Sequence, residues 1–215
     1  MLTQLPTIKA RLGIPAFEIA HDPFLADLIR FVTARFELEC HRRFARRENA
    51  TFDFRADTLD VRVDRYPIES ISSFLIRRSA TEDWENLEPA PAQISVADSV
   101  ILLQAPLGHS YERARVIYTG GYVLPGNTAG AGQTALPDEL EQAAIEQITY
   151  LFENRNRLGL VSVGGGSGAI EILRDLNLLP PGAEQTSGTV WFKYAQVDLL
   201  PSVRLILRHY TRLLW

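Results

Sequence analysis

Apolar residues recur every three to four positions near both ends of the chain and every second position in its middle. The first pattern is typical of amphipathic helices and the second of half-buried strands. The helical pattern predicts helices over 5–12, from Pro23 to about Arg47, from Pro137 to Gly159, around Ile170–Leu179 and from about Leu199 to Leu214. The strand pattern predicts extended segments at Thr51–Phe54, Leu59–Val63, Ser72–Arg77, Val100–Leu103, Arg113–Tyr118 and Thr189–Tyr194.

The second helix carries the longest apolar stripe of the chain. Asp22 and Pro23 are typical of a helix start. Beyond them, the stripe repeats every four residues and is widened by three more positions. It comprises Leu25, Leu28, Ile29, Phe31, Val32, Phe36, Cys40 and Phe44. Since Cys40 lies on this stripe, its position favours a buried thiol over a nucleophile.

Short extended segments follow one another between residues 51 and 122 with no helical pattern between them, which predicts an antiparallel meander. The expected fold class is therefore α+β, a mainly α-helical bundle with an inserted antiparallel β-sheet subdomain. We expect a single domain over residues 1–215. Its predicted parts are N-terminal helices in 1–50, a β-rich insertion in 51–122, a central helix in 136–159 and an extended C-terminal region in 160–215 that ends in a helix.

Composition narrows the class of protein. The 215 residues are 46% hydrophobic and 22% charged with a net charge of −4, as in an ordinary globular domain without a dedicated nucleic-acid or membrane partner. The single Cys40 excludes an intramolecular disulfide and a multi-cysteine zinc site. Neither a secretory signal nor an apolar run long enough for a membrane span is visible, so we expect synthesis in the cytoplasm.

Candidate catalytic chemistry is sparse. Gly164, Gly166 and Ala169 fit a loose dinucleotide-binding fingerprint, and Glu184 lies near the distance of a ribose-binding acid. The apolar segment before these glycines follows directly on a helix, so no βαβ unit surrounds them and a flexible loop is favoured. The histidines are scattered without metal-ligand spacing. We therefore expect no catalytic, cofactor-binding or metal site, and no enzyme activity.

Two basic features remain, and both indicate contact with a partner. Arg42, Arg43, Arg46 and Arg47 (the arginine cluster) crowd the end of the second predicted helix, with Glu39 placed to pair with Arg43. An acidic protein surface or a phosphate is a plausible partner for them. The last helix has an arginine face beside an apolar face, so it docks either on its own core or in a groove of a partner. The candidate residues on it are Arg204, Leu207, Arg208, Tyr210, Arg212 and the final Trp215.

Several segments, taken in order, resemble the head–tail connector (adaptor) family of long-tailed phages and gene transfer agents. The helices at the start of the chain resemble that family's N-terminal pair. Three further segments are similar to its strand-leading "P-[IV]-x-S-[IV]", its "Y-x-x-G-Y" strand end and its "P-x-x-[IL]…A…[YF]-E-x-R" helix. They are Tyr66–Ile71, Val116–Tyr122, and Leu136–Leu140 with Phe152–Arg155. The ordered resemblance runs from Met1 to about Gly159.

The resemblance implies a mechanical function. Copies would form a homo-oligomeric ring, expected to be dodecameric, beneath the portal protein of a virion. This ring would extend the channel for double-stranded DNA, contact that DNA non-specifically, and bind the next neck, stopper or tail protein, with no membrane partner. The C-terminal helix would dock on the portal. The arginine cluster, Asn154 and Arg155 are candidates for a subunit interface or an acidic partner.

Two alternatives stay open. The first is a DNA-binding packaging accessory protein that uses the arginine cluster, and the less favoured one is a nucleotide-dependent enzyme that uses the glycine loop.

Overall fold

The computed structural model of the chain describes residues 1–87, 94–97, 99–155, 160–164, 191–194 and 199–212. Its helices are α1 (Leu5–Arg11), α2 (Asp22–Glu39), α3 (Asp138–Glu153) and α4 (Pro201–Tyr210). Its strands are β1 (Arg47–Arg55), β2 (Asp60–Arg62), β3 (Ile68–Arg77), β4 (Glu85–Asn86), β5 (Ile94–Ala97), β6 (Val100–Leu103), β7 (Arg113–Gly120), β8 (Leu160–Gly164) and β9 (Trp191–Tyr194).

The helices share one apolar core. α3 contacts α1, α2 and α4, and the small side chains of Ala143 and Ala144 let these helices approach it closely. Acidic residues in the first turn of α3 favour its start because the helix dipole is positive there. The core combines residues of every helix. Its largest fully buried members are Leu2, Ile8, Leu25, Ile29, Phe36, Phe44, Leu140, Ile148 and Leu207.

The β-strands form a second core. An antiparallel four-stranded sheet has the order β1-β7-β3-β4, and β2, β6 and β5 form a three-stranded sheet. Alternate side chains of the larger sheet point into the core, as in a sheet that is buried on one face. These include Phe54, Phe74, Ile76, Val116 and Tyr118. The predicted antiparallel pairing is confirmed, but the simple meander is wrong because β7 lies between β1 and β3.

The mixed α+β class is confirmed. The description of the chain as mainly a helical bundle is not confirmed, because residues 47–120 build the four-stranded sheet with an apolar core of its own. The predicted short helix around Ile170–Leu179 and much of the predicted C-terminal region lie outside the described residues. No helix among the described residues is both long enough and apolar enough to span a bilayer.

The second helix ends earlier than its periodicity predicts. α2 stops at Glu39, and His41 adopts a φ of 50°. The backbone then pairs with the β-rich part: Arg43 N donates to Asp64 O at 2.8 Å, and Tyr122 N donates to Phe44 O at 2.8 Å. Phe44 is still buried, so the four-residue apolar repeat continues beyond the helix without helical backbone.

Candidate partner-binding surfaces

Arg42 lies inside the molecule at the junction between α2 and the sheet. Arg42 is 3% exposed. Its guanidinium carbon lies 3.2 Å from the ring centre of Tyr66, 5.1 Å from that of Phe44 and 5.2 Å from that of Tyr122. Arg42 Nη2 donates to the carbonyl of Tyr66. Burial raises the pKa of the Tyr66 hydroxyl. Arg42 therefore holds an aromatic cage together and presents no charge to a partner.

The other members of the arginine cluster do not form one basic patch. Arg43 Nη1 lies 2.7 Å from Glu37 Oε2, and this ion pair replaces the predicted one with Glu39. Arg46 contacts both carboxylate oxygens of Glu69 at 2.9 and 3.1 Å, a geometry typical of a strong arginine–carboxylate pair.

Glu39 itself pairs with Arg35 at 3.4 Å, four residues earlier on α2. Arg46 also contacts Glu48 at 2.9 Å. Arg47 is exposed at the start of β1. Because the neighbouring carboxylates already neutralise Arg43 and Arg46, the cluster does not offer the concentrated positive charge that its sequence predicts.

Asn154 and Arg155 close the C-terminal end of α3. The side-chain amide of Asn154 donates to Tyr150 O at 2.9 Å, and Arg155 Nη1 donates to Phe152 O at 2.9 Å. The guanidinium of Arg155 also lies 4.6 Å from the centre of the Phe152 ring. Both side chains thus satisfy backbone carbonyls that a helix end leaves without partners. Arg155 is exposed and is still a candidate interface residue.

The apolar face of α4 belongs to the protein's own core. Val203 is 0% exposed and Leu207 is 1% exposed. Cys40 Sγ donates to Leu207 O at 3.6 Å, and Leu200 N donates to Gln147 Oε1 at 2.9 Å. The candidate role of Leu207 in partner binding is therefore corrected, because its side chain is buried in the helical core.

The end of α4 is tied to the sheet side of the molecule. Tyr66 Oη donates to Tyr210 O at 2.9 Å, and the hydroxyl of Tyr210 donates to Glu139. Arg212 N donates to Cys40 O at 2.8 Å, and Arg212 Nη2 donates to Arg62 O at 2.6 Å. Burial lowers the pKa of Arg212. Arg212 and Tyr210 thus serve largely as internal links.

The solvent-exposed surface of α4 is small and combines an apolar residue with basic residues. Leu205 is 60% exposed, and Arg208 and His209 are exposed beside it. These three residues are the outer face of α4, and Arg204 is half-buried at its margin. Leu205 was missed because the sequence pattern placed the apolar face on its neighbours. Trp215 lies outside the described residues.

The glycine-rich loop lies mostly outside the described residues, as does Glu184. Gly164 itself ends β8, which pairs antiparallel with β9 through Gly164 and Trp191. A dinucleotide-binding unit needs a parallel strand before its glycine loop. The strand that precedes these glycines therefore does not match that unit. Among the described residues, no group of three potential metal ligands comes together.

Cys40 is fully buried, as predicted for the apolar stripe. Burial raises the pKa of its thiol from about 9 to about 12. Since the thiolate is the nucleophilic form, Cys40 is inert at neutral pH.

Sequence reasoning missed a set of exposed apolar residues at α2. Phe17 is 87% exposed and Ile19 is 72% exposed in the loop before the helix. Phe31 was assigned to the buried stripe but is 57% exposed, and Leu38 is 62% exposed. The heptad spacing of Phe31 and Leu38, on a flank away from the core stripe, is the signal that could have separated them.

No protein-family model matches the chain, and no curated protein matches it. Chains in solved structures share its fold, and two of them come from gene transfer agent particles. One is a chain from the neck of an empty gene transfer agent particle, computed with C6 symmetry; it is 15% identical, with a TM-score of 0.51, and the match covers 86% of this chain and 93% of that one. The fold is that of a gene transfer agent particle component.

The second structure is a chain from the virion of a native gene transfer agent particle. It is also 15% identical, with a TM-score of 0.50, and the match covers 100% of this chain and 91% of that one. The resemblance to head–tail connectors of phages and gene transfer agents is thus confirmed at the level of the fold.

Proposed function

We propose that this protein is a structural head–tail connector (adaptor) subunit of a virion neck and has no enzymatic role. The observation that carries the proposal is the agreement of two independent lines. The ordered segments of the sequence resemble the connector family, and the fold matches chains from a gene transfer agent neck and virion over most of their lengths. Fold similarity at 15% identity alone would leave the function open.

In this proposal, copies of the chain form a ring beneath the portal. The ring extends the channel through which double-stranded DNA passes and offers its far side to the next neck, stopper or tail protein. A closed ring requires a head-to-tail interface, in which two different surfaces of each subunit meet.

For the portal contact we propose the outer face of α4. Leu205 supplies apolar area and Arg208 supplies charge, while Arg204 lies at the margin. An acidic surface with an apolar recess is the partner that complements this combination. This is a smaller surface than the sequence predicted, because Leu207, Tyr210 and Arg212 are engaged within the chain.

The packaging-accessory alternative loses its support from the arginine cluster. Arg42 is buried, and Arg43 and Arg46 are paired with glutamates of the same chain. Non-specific DNA binding requires unpaired cations that replace counterions along the phosphates.

Electron microscopy of the purified protein, alone and mixed with a portal protein from the same particle, tests the proposal. We expect rings that stack coaxially on the portal. The Leu205→Asp/Arg208→Glu variant should still form rings but lose the portal. The matched Leu59→Asp/Arg113→Glu variant, which changes an exposed leucine and an exposed arginine on the β-rich side, should keep it. A chain that neither forms rings nor binds the portal would contradict the connector function.

A further inference from the structure

The loop between α1 and α2 presents two large apolar side chains to solvent on a backbone that is hydrogen-bonded within the loop. Phe17 is 87% exposed and Ile19 is 72% exposed, and we name this pair the knob. Local hydrogen bonds shape the loop: Glu18 N donates to Pro15 O at 3.1 Å, and Asp22 N donates to Ile19 O at 3.1 Å. The knob is therefore held out by the fold.

The buried side chain of Lys9 fixes the knob from below. Lys9 is 4% exposed, and its ammonium donates to Ala16 O at 3.0 Å and to Glu18 O at 2.5 Å. It also lies 2.9 Å from a carboxylate oxygen of Asp22. A buried ammonium is costly unless oxygen atoms surround it, and here they come from both sides of the knob. Lys9 therefore orders the loop before any partner arrives, which lowers the entropy cost of binding.

A second open apolar surface lies towards the other end of α2. Phe31 is 57% exposed, Leu38 is 62% exposed, and Ala34 is exposed between them; we name these three residues the strip. They follow one another at helical spacing on a single flank. The strip ends at an open cavity of about 400 Å³, which Ala34 and Leu38 line together with charged side chains such as Glu37 and Asp64.

The knob does not cover the strip of its own chain, because both surfaces are largely exposed. The knob precedes the first turn of α2, whereas Phe31, the first residue of the strip, lies nine residues after the helix start, which is about 14 Å along the helix axis. We propose that the knob of one copy packs on the strip of the next copy in the ring. The inference rests on the proposed connector function and names the residues of its subunit contact.

A second copy is the occupant that the observations favour. The same chain carries a protruding apolar pair and an open apolar strip, and one head-to-tail contact repeated around a ring covers both on every subunit. A different protein bound to either surface would leave the other in water. The aromatic Phe17 on a preordered loop has the character of an interface anchor.

Two complementary variants test this contact. The knob variant is Phe17→Asp/Ile19→Asp, and the strip variant is Phe31→Asp/Leu38→Asp. Their self-association is compared with the wild type by analytical ultracentrifugation, with circular dichroism to verify folding. We expect each variant alone to associate at least tenfold more weakly than the wild type. An equimolar mixture should form a one-to-one dimer and nothing larger, because one intact knob and one intact strip are left.

The matched control is Leu59→Asp/Tyr111→Asp, which adds the same charges at exposed apolar positions on the β-rich side. It should associate like the wild type. The Lys9→Met variant keeps both knob side chains but frees their loop. It should therefore associate more weakly than the wild type, and its amides near residues 16–19 should exchange faster with solvent.

The outcomes separate the contact from the ring. Wild-type rings that survive in both variants would overturn the knob–strip contact and leave the connector function standing. Dimers of the knob variant alone that are as stable as the wild-type contact would also overturn the contact, because they would require a strip to meet another strip. A wild-type chain that stays monomeric at every concentration, with and without portal, would overturn the contact and the ring together.

Discussion

The two ends of α2 differ in which residue types are exposed: apolar side chains are exposed before its start, and a charged side chain is buried after its end. At its start, an apolar loop with Phe17 and Ile19 stands in solvent. Just beyond its end, the charged Arg42 is 3% exposed among aromatic rings. A charged residue is inside where an aromatic cage can enclose it, and apolar residues are outside where a buried lysine holds their loop away from the core.

This contrast shows that residue type predicts burial only on average. A folded surface always contains much apolar area, so a large exposed apolar group is informative chiefly when the fold holds it in place. For an arginine the informative case is burial, because a charged side chain is buried only where the fold encloses it. Cys40, Arg42 and Phe44, which follow α2, are therefore packed inside the protein, whereas the loop that precedes α2 is exposed to solvent.

The largest expected effect concerns the region beyond the end of α2, where α4 packs against α3 and contacts Cys40. Leu207→Ala should lower the free energy of unfolding by about 3 kcal/mol, because it leaves a cavity in the helical core. Leu205→Ala, two positions earlier at 60% exposure, should change it by less than about 0.5 kcal/mol. Urea unfolding of both variants measures the difference. Equal effects would mean that α4 does not pack on the core.

The next effect separates two members of the arginine cluster. Arg42→Ala should destabilise the protein by about 2 kcal/mol, since it removes a desolvated cation from its aromatic cage together with the bond to the Tyr66 carbonyl. Arg47→Ala, at an exposed position, should change stability by less than about 0.5 kcal/mol. Thermal and urea unfolding provide the measurement. A cluster that acts as a surface patch would give two small effects instead.

The smallest effect concerns the pH dependence of the buried end. Burial raises the pKa of Cys40 from about 9 in the exposed state to about 12. As pH rises, the unfolded chain therefore releases this proton at a lower pH than the folded chain does. The contribution of the thiol to the free energy of unfolding is complete below pH 9 and is lost as pH rises towards 12. At one pH unit above the pKa of the thiol in the unfolded chain, the free energy of unfolding has fallen by about 1.4 kcal/mol.

The Cys40→Ala variant isolates this contribution from other groups that titrate in alkali. The stability difference between wild type and variant, measured by urea unfolding at a series of pH values, should move in favour of the variant above pH 9. A difference that is constant over this range would show that the thiol is accessible to water in the folded state.

Local periodicity predicted the existence and type of most described elements. The starts of α2 and α3 coincide with proline and acidic residues, whose effects act within one turn. The end of α2 was wrong by about two turns, because Cys40 and Phe44 continue the four-residue apolar repeat. The backbone of Arg43 and Phe44 instead meets the β-rich part through bonds to Asp64 and Tyr122, which lie far away in sequence.

The sequence by itself determined the alternating apolar residues of the strands, the apolar stripes of the helices and the family-like segments. These were sufficient to predict the α+β class and the resemblance to connectors. Tertiary structure alone decided which charges remain available and which apolar groups stay outside. Glu69 reaches Arg46, Tyr66 encloses Arg42 and Cys40 meets Leu207 only after distant segments come together. Burial is a property of such long-range neighbours, whereas periodicity records only the local direction of a side chain.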